Sequence, residues 1–173
     1  PYSPKAGTGL SSNEINQPGS YRDVTDTTVI AQFKALTDTV PASFNIEGDL
    51  HFLAWTTTPW TLPSNTALTV GPKIDYAFVK TFNQYTFEPI QVVLAENLIA
   101  KQFAGKKFAQ VKSEADLSNF KEGDKTIPYF ISQTCKGADL IDIKYEQLLP
   151  YAQPFENPEN AFRVIAGDFV TTE

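Results

Sequence analysis

The sequence predicts an α+β, β-rich domain: a barrel-like mixed sheet with two short helices and an extended N-terminal arm. Three observations carry that expectation. Thirteen Phe and seven Tyr in a chain of 173 residues favour pleated, half-buried strands over helices. Apolar and polar residues alternate in short runs bounded by Gly, Pro and Asn. Stretches with helical spacing are few and brief, so a count of about eight strands to two helices argues against a regular βαβ array.

Residues 1 to about 24 are rich in Ser, Gly, Pro and Asn and read as an arm or linker. Residues 27–36 then alternate, with Val29, Ala31, Phe33 and Ala35 on one side and Ile30, Gln32 and Lys34 on the other, which is a strand. A loop over 38–48 leads to a second strand at 50–58. Proline pushes the residue before it towards extended geometry. Thr58 and Leu62 both precede a proline, so 59–63 is expected to continue as an extended, unpaired loop. A strand resumes at 65–70 and stops at the Gly71-Pro72 turn. Residues 76–82 and 85–94 flank Asn83-Gln84 as a hairpin, though Asn-Gln is a weaker turn than Asn-Gly. The segment 96–104 places Leu98, Ile99 and Phe103 near helical spacing and meets Gly105 as a stop. A second short helix over 114–120 has Ser113 as its cap and Asp116 three residues later. Strands are expected again at 129–134, 138–145 and 162–170.

The length suits one domain with a short appendage. The organisation expected is an arm and linker strand over 1–44 and the domain proper over 45–173. A net charge of −6 argues against a broad nucleic-acid face, yet leaves room for a pocket that takes one nucleotide at an RNA end. No run approaches the roughly 18 apolar residues of a membrane span, and no basic segment leads an apolar block, so no membrane association or signal peptide is expected. The single Cys135 forms no internal disulfide, which is compatible with the cytoplasm. The chain opens on Pro1, contains no Met and ends soon after a strand-like run, so it is expected to be a piece of a longer protein.

The richest chemistry lies in the stretch 54–65. In a strand, alternate side chains share a face, so Thr56 and Thr58 pair on one side and Thr57 lies on the other. Hydroxyls at a strand end can line a pocket for a polar ligand, and threonine is also simply a good strand former. Trp60, with Pro59 before it and Pro63 after, can present its ring to a base or substrate, or pack as a lid. Asn65 can donate and accept in a pocket, or start a strand through a local turn. His51 is the only histidine and has no Ser or Cys nucleophile motif beside it, so it reads as surface or structural. Cys135 has no Cys or His at metal spacing and no metal site is expected. Gly7-Thr8-Gly9 lacks the lysine and helix of a phosphate loop. Glu114, Asp116, Glu122 and Asp124 read as solvated carboxylates. Asp139 and Asp142 alternate with apolar residues and are expected to face water on a strand. Asp168 is a candidate for a buried carboxylate or an edge-of-sheet charge.

Several stretches resemble isoleucyl-tRNA synthetases in register: Pro1-Tyr2-Ser3-Pro4, Gly7 to Ser12 with Glu14, Tyr21 to Val24, Thr27 to Val29, Trp55 to Asn65, Lys136 to Leu140, Pro154-Phe155, and Gly167 to Thr171. The block Thr56-Thr57-Thr58-Pro59-Trp60 is the most specific. Valyl and leucyl enzymes look like Thr-Thr-Arg-Pro with an acidic residue there. The resemblance covers essentially the whole chain and implies the editing (connective peptide) domain of an aminoacyl-tRNA synthetase, a cytoplasmic ligase of protein biosynthesis. It implies proofreading: hydrolysis of valine wrongly esterified to the isoleucine tRNA, and of valyl-adenylate. One missing methylene discriminates too weakly for accurate translation, and the isoleucine–valine pair of this very family is the standard case.

By the resemblance, Thr56, Thr57, Thr58, Trp60, Thr61 and Asn65 bind the substrate. The partners implied are the 3′ end of the isoleucine tRNA carrying valine and the remainder of the synthetase chain. Editing is expected to use no cofactor, with ATP-binding and metal ions confined to the rest of the parent enzyme. The family's pattern continues after the stretch matching 168–173 with a Gly-Thr-Gly segment bearing a histidine, and later an aspartate. Those groups are expected beyond Glu173, which leaves the catalytic residue of this chain unassigned and its own deacylation weak or absent. An aminoacyl-binding module without catalysis is the alternative reading.

Overall fold

A computed structural model describes residues 1–172. The arm begins with two paired two-residue strands, β1 (Tyr2–Ser3) and β2 (Thr8–Gly9), and one helical turn, α1 (Ser12–Ile15). Ser11 caps α1 and Glu14 returns its carboxylate to the Ser11 amide at 2.7 Å, a reciprocal capping box. From Asn16 to Thr28 no regular element forms.

The domain is built on a six-stranded mixed sheet. Its strands are β3 (Val29–Lys34), β4 (Leu50–Thr56), β6 (Asp75–Phe82), β7 (Pro89–Ala95), β8 (Phe108–Gln110) and β9 (Ile127–Lys136). They lie in the order β3-β4-β7-β6-β9-β8, with β4–β7 and β8–β9 parallel and the other neighbours antiparallel. A second, parallel pair joins β5 (Ala67–Val70) to β10 (Arg163–Ala166). Single bridges Ala35–Tyr145 and Lys144–Arg163 tie the β3 edge through residues 144–145 to β10. The expected strand-rich, mixed α+β class is the one observed.

The alternation in β3 is realised, with Ala31, Phe33 and the following Ala35 buried and Gln32 exposed. Those residues join Phe52, Phe78 and Val93 on one face. Leu140, Ile143, Tyr145 and Val164, all below 3 % exposed, close over that face. Burying each such side chain contributes on the order of 1.5–3 kcal/mol. On the opposite face, α2 (Ile99–Gln102) and the residue after it seat Ile99 and Phe103 on Ala77, Val79, Val92 and Leu94, with Phe108 of the edge strand β8 packed against them. Phe103 stacks on Tyr129 at 4.5 Å between ring centroids.

Several local expectations are corrected. Residues 138–145 form no strand. Gly137–Leu140 is a 3-10 turn whose Gly137 and Ala138 amides donate to the Ile74 and Pro72 carbonyls, and Asp142 sits at φ +68°. Asp139 accordingly caps the turn by accepting from the Lys136 amide, and Asp142 pairs with Arg163 at 3.5 Å, so neither lies on a strand. The β6–β7 connection is six residues long. Its Asn83 carboxamide accepts from the Tyr85 and Thr86 amides, and Phe87 adopts φ +57°. The helix expected over 96–104 is a 3-10 turn, Glu96–Leu98, running into the single α turn of α2 before Gly105 at φ +87°. The second short helix forms as a 3-10 segment, Glu114–Asn119, with the Ser113 amide donating to the Asp116 carboxylate at 3.1 Å. Strand β8 was not anticipated, and the exposure of Asp168 removes the buried-carboxylate alternative.

Candidate functional site

The geometry of β4 decides where the threonines go. Strand β3 pairs with β4 all the way to Val29–Thr56, but β7 accompanies β4 only from Leu50 to Phe52. The last residues of β4 thus project past one neighbour and leave that strand edge free. The chain then turns. Thr58, at φ −123° and ψ 64°, leads into a 3-10 segment, Pro59–Ser64. The extended loop expected from the prolines is not formed. Proline's fixed φ near −65° suits the first turn of a helix as well as an extended chain. Here the Thr61 and Asn65 amides close 3-10 bonds to the Thr58 and Leu62 carbonyls, at 3.0 and 3.1 Å.

This turn gathers three hydroxyls. The Oγ1 atoms of Thr56 and Thr58 lie 3.3 Å apart, and those of Thr58 and Thr61 3.4 Å apart. The Thr58 amide donates to Thr56 Oγ1 at 3.0 Å, and the Thr61 hydroxyl donates to the Thr58 carbonyl at 2.7 Å. Hydroxyl protons rotate, so such a chain can present either a donor or a lone pair to a ligand without moving heavy atoms. Thr57 is exposed and takes no part in the hydroxyl chain. Trp60 stands at the rim with 68 % of its surface exposed, which makes it neither core nor closed lid in this structure.

Asn65 is used differently from its neighbours. Its Nδ2 donates to the Ala67 carbonyl at 3.0 Å, and its Oδ1 accepts from the Tyr145 hydroxyl at 2.7 Å. Tyr145 is buried edge-on between Phe33 and Phe162, and burial pushes its phenol well above the usual range, so it stays a neutral donor. Asn65 therefore bolts the end of the threonine turn to the core. Sequence reasoning had no signal for Tyr145, because its partner lies 80 positions away and the hydrogen bond exists only once β5 and β10 have paired.

The remaining candidates stand apart from this cluster. His51 lies half-buried on β4, where desolvation lowers its pKa from 6.5 and leaves Nδ1 without a partner among the described residues. Burial pushes the Cys135 thiol up to about 12, so it is a poor nucleophile. Among the described residues no group of three or more His, Cys, Asp and Glu is placed to hold a metal ion. No helix among them is long and apolar enough to cross a membrane.

No family model matches the chain. Over its full length it is 57 % identical to an isoleucine–tRNA ligase of Cytophaga hutchinsonii, of which it covers 14 %. It is 54 % identical, again over its whole length, to the isoleucine–tRNA ligase of Bacteroides thetaiotaomicron, covering 15 % of it. At greater distance it is 36 % identical to that of Picrophilus torridus, covering 13 %. The chain thus spans about 14 % of the length of the curated relatives it matches. A solved structure described as the crystal structure of GlLeuRS-CP1 superposes with a TM-score of 0.54, over 84 % of this chain and 49 % of that one, at 14 % identity. That likeness establishes a shared CP1 fold.

Proposed function

For a chain that corresponds over its whole length to one segment of the isoleucine–tRNA ligases and has the CP1 fold, we propose a role in proofreading: it holds the aminoacyl end of a mischarged tRNA while the valyl ester is hydrolysed. The observation that carries this reading is the hydroxyl chain of Thr56, Thr58 and Thr61 at the free end of β4, with the exposed ring of Trp60 beside it. A valyl ester offers a carbonyl and a ribose, groups that hydroxyls and an aromatic face can orient. The substrate is the 3′ end of the isoleucine tRNA carrying valine. The rest of the synthetase chain is the other partner, and the setting is the cytoplasm.

The division of labour follows from what the cluster contains. Its hydrogen bonds run among threonine hydroxyls, one amide and one carbonyl, with no carboxylate or imidazole in the chain of contacts. A threonine hydroxyl is far too weak a base to activate water at neutral pH. This chain accordingly contributes positioning, fixing the ester so that attack becomes effectively intramolecular. The water is activated by another group, such as a hydroxyl of the terminal ribose. The expectation that the chain alone is a weak hydrolase stands on the same chemistry. Editing here needs no cofactor of its own, since ester hydrolysis requires a base and an oxyanion donor and no redox or group carrier.

The test pairs binding with turnover. A non-hydrolysable valyl-adenosine analogue is expected to bind this chain and to lose ~10-fold or more in affinity in Thr58→Ala, as loss of hydrogen bonds to a buried polar ligand predicts. Val-tRNA deacylation by the chain is expected to stay far below that of the whole synthetase. Analogue binding that is indifferent to Thr58→Ala and Trp60→Ala overturns the site assignment. Deacylation at the whole enzyme's rate overturns the positioning role.

A further inference from the structure

On the face of β4 opposite the buried core, His51, Leu53 and Trp55 alternate with Phe52 and Ala54, so Trp55 and Thr56 point to opposite sides of the sheet. Trp55 is 63 % exposed, and Ile30, its cross-strand partner on β3, is 43 % exposed. Beside them lies an open cavity of about 290 Å³, floored by Leu53, Ile90 and Phe103 and edged by Gln32, Gln102 and Tyr85. Tyr85, on the β6–β7 loop at the cavity's rim, is 85 % exposed.

Each of the two exposed rings has a lysine over it. Lys101 Nζ lies 5.8 Å from the Trp55 ring, and Lys107 Nζ lies 6.0 Å from the Tyr85 ring while donating to the Gln84 carboxamide at 3.0 Å. The charge of this region runs against that of the whole. Residues 96–112 carry four lysines against the one carboxylate of Glu96, within a chain of net charge −6. Two exposed rings, ammonium groups at phosphate-reaching length beside them, and carboxamides at the mouth of an apolar-floored cavity are the parts of a stacking platform. Rings take base faces, lysines take phosphates, and amides match base edges.

From this juxtaposition we infer that the Trp55–Tyr85 face binds a short single strand of RNA, with one base entering the cavity against Tyr85 and another lying on Trp55. The surface is separate from the threonine turn and rests on different residues. The alternative occupant, an acidic protein segment, uses the lysines but gains little from the paired rings and carboxamides.

The test uses this full chain and a fluorescent hexacytidylate with a 3′ phosphate, which bars the oligonucleotide's end from acting as an aminoacyl end. Binding is expected at low salt and is expected to weaken ~10-fold in Tyr85→Ala and in Trp55→Ala, with Tyr85→Phe close to the parent, as base stacking on a ring predicts. Lys107→Gln is expected to lower the slope of log affinity against log salt by about 0.7, one single-strand phosphate. Phe155→Ala, an exposed ring that lines neither the cavity nor the threonine turn, is expected to leave hexacytidylate binding unchanged. Both rings are exposed, and unchanged far-UV circular dichroism verifies the folding of each variant. No binding at low salt, affinity unmoved by Tyr85→Ala and Trp55→Ala together, or equal binding of hexaglutamate overturns the inference. None of these outcomes touches the reading of the threonine turn.

Discussion

The six-stranded sheet has two faces, and they are finished in opposite ways. Over one, Leu140, Ile143, Tyr145 and Val164 close completely on Phe33, Phe52, Phe78 and Val93. Over the other, α2 and the Phe103 that follows it cover only part of the surface, and Ile30 and Trp55 are left exposed. The same strands supply both faces, so the difference lies in what packs on them. The closed face supplies stability. The open one, together with the threonine turn at the end of β4, presents side chains whose worth lies in contacts made with something else.

That contrast is most directly broken by paired deletions. Leu140→Ala is expected to cost ~2–5 kcal/mol in urea unfolding, the range for a fully buried leucine. Trp55→Ala, a larger deletion, is expected to stay within ~0.5 kcal/mol of the parent because its ring is exposed. Equal costs at the two positions abolish the distinction. A smaller effect sharpens the link between core and turn: Tyr145→Phe leaves Asn65 Oδ1 without its donor and is expected to cost about 1–2 kcal/mol. It is also expected to weaken valyl-adenosine analogue binding while leaving hexacytidylate binding unchanged, because only the threonine turn is bolted through Asn65.

His51 gives a pH arm of lesser size. Burial lowers its folded pKa below 6.5, so the folded state resists protonation and the unfolded state does not. Its contribution is complete above about pH 6.5 and is lost as pH falls from there towards the folded pKa. The urea midpoint is expected to decline from pH 7 to pH 5, and His51→Gln is expected to flatten that decline. The smallest readout is chemical. With its pKa pushed up to about 12, Cys135 is expected to react with iodoacetamide at pH 8 far more slowly than a free thiol, and to become reactive once urea unfolds the chain.

What could be read from the sequence was whatever depends on neighbours close in the chain. The alternation 29–35, the Ser113 and Asp116 start of the turn at 114, and the stop at Gly105 all rest on local geometry, and the strand and turns built on them formed. The misreadings have one physical origin. Residues 138–145 alternate like a strand, but the Gly137 and Ala138 amides are claimed by the loop at 72–74, a contact across more than 60 positions. The prolines at 59 and 63 fit two backbone states, and the amide of Thr61 chose the helical one. At the candidate site, the meeting of Thr56, Thr58 and Thr61 rests on residues at most five apart and was foreseeable in part from strand alternation. The diversion of Asn65 to Tyr145 was not, because it depends on how a distant segment docks.

The consecutive placement of Trp55 and Thr56 on opposite sides of β4 has a consequence for how such a segment can vary. Both surfaces draw on one strand whose phase is set by its pairing with β3. Exchanges of one side chain for another alter either surface singly. Insertion or deletion of one residue between Leu50 and Thr56 inverts the phase of all that follows, turning the indole towards the core and the hydroxyls towards the lysines. Natural variation in this strand is therefore expected to run through substitutions at constant length, with length changes confined to the loops at 38–48 and 83–88.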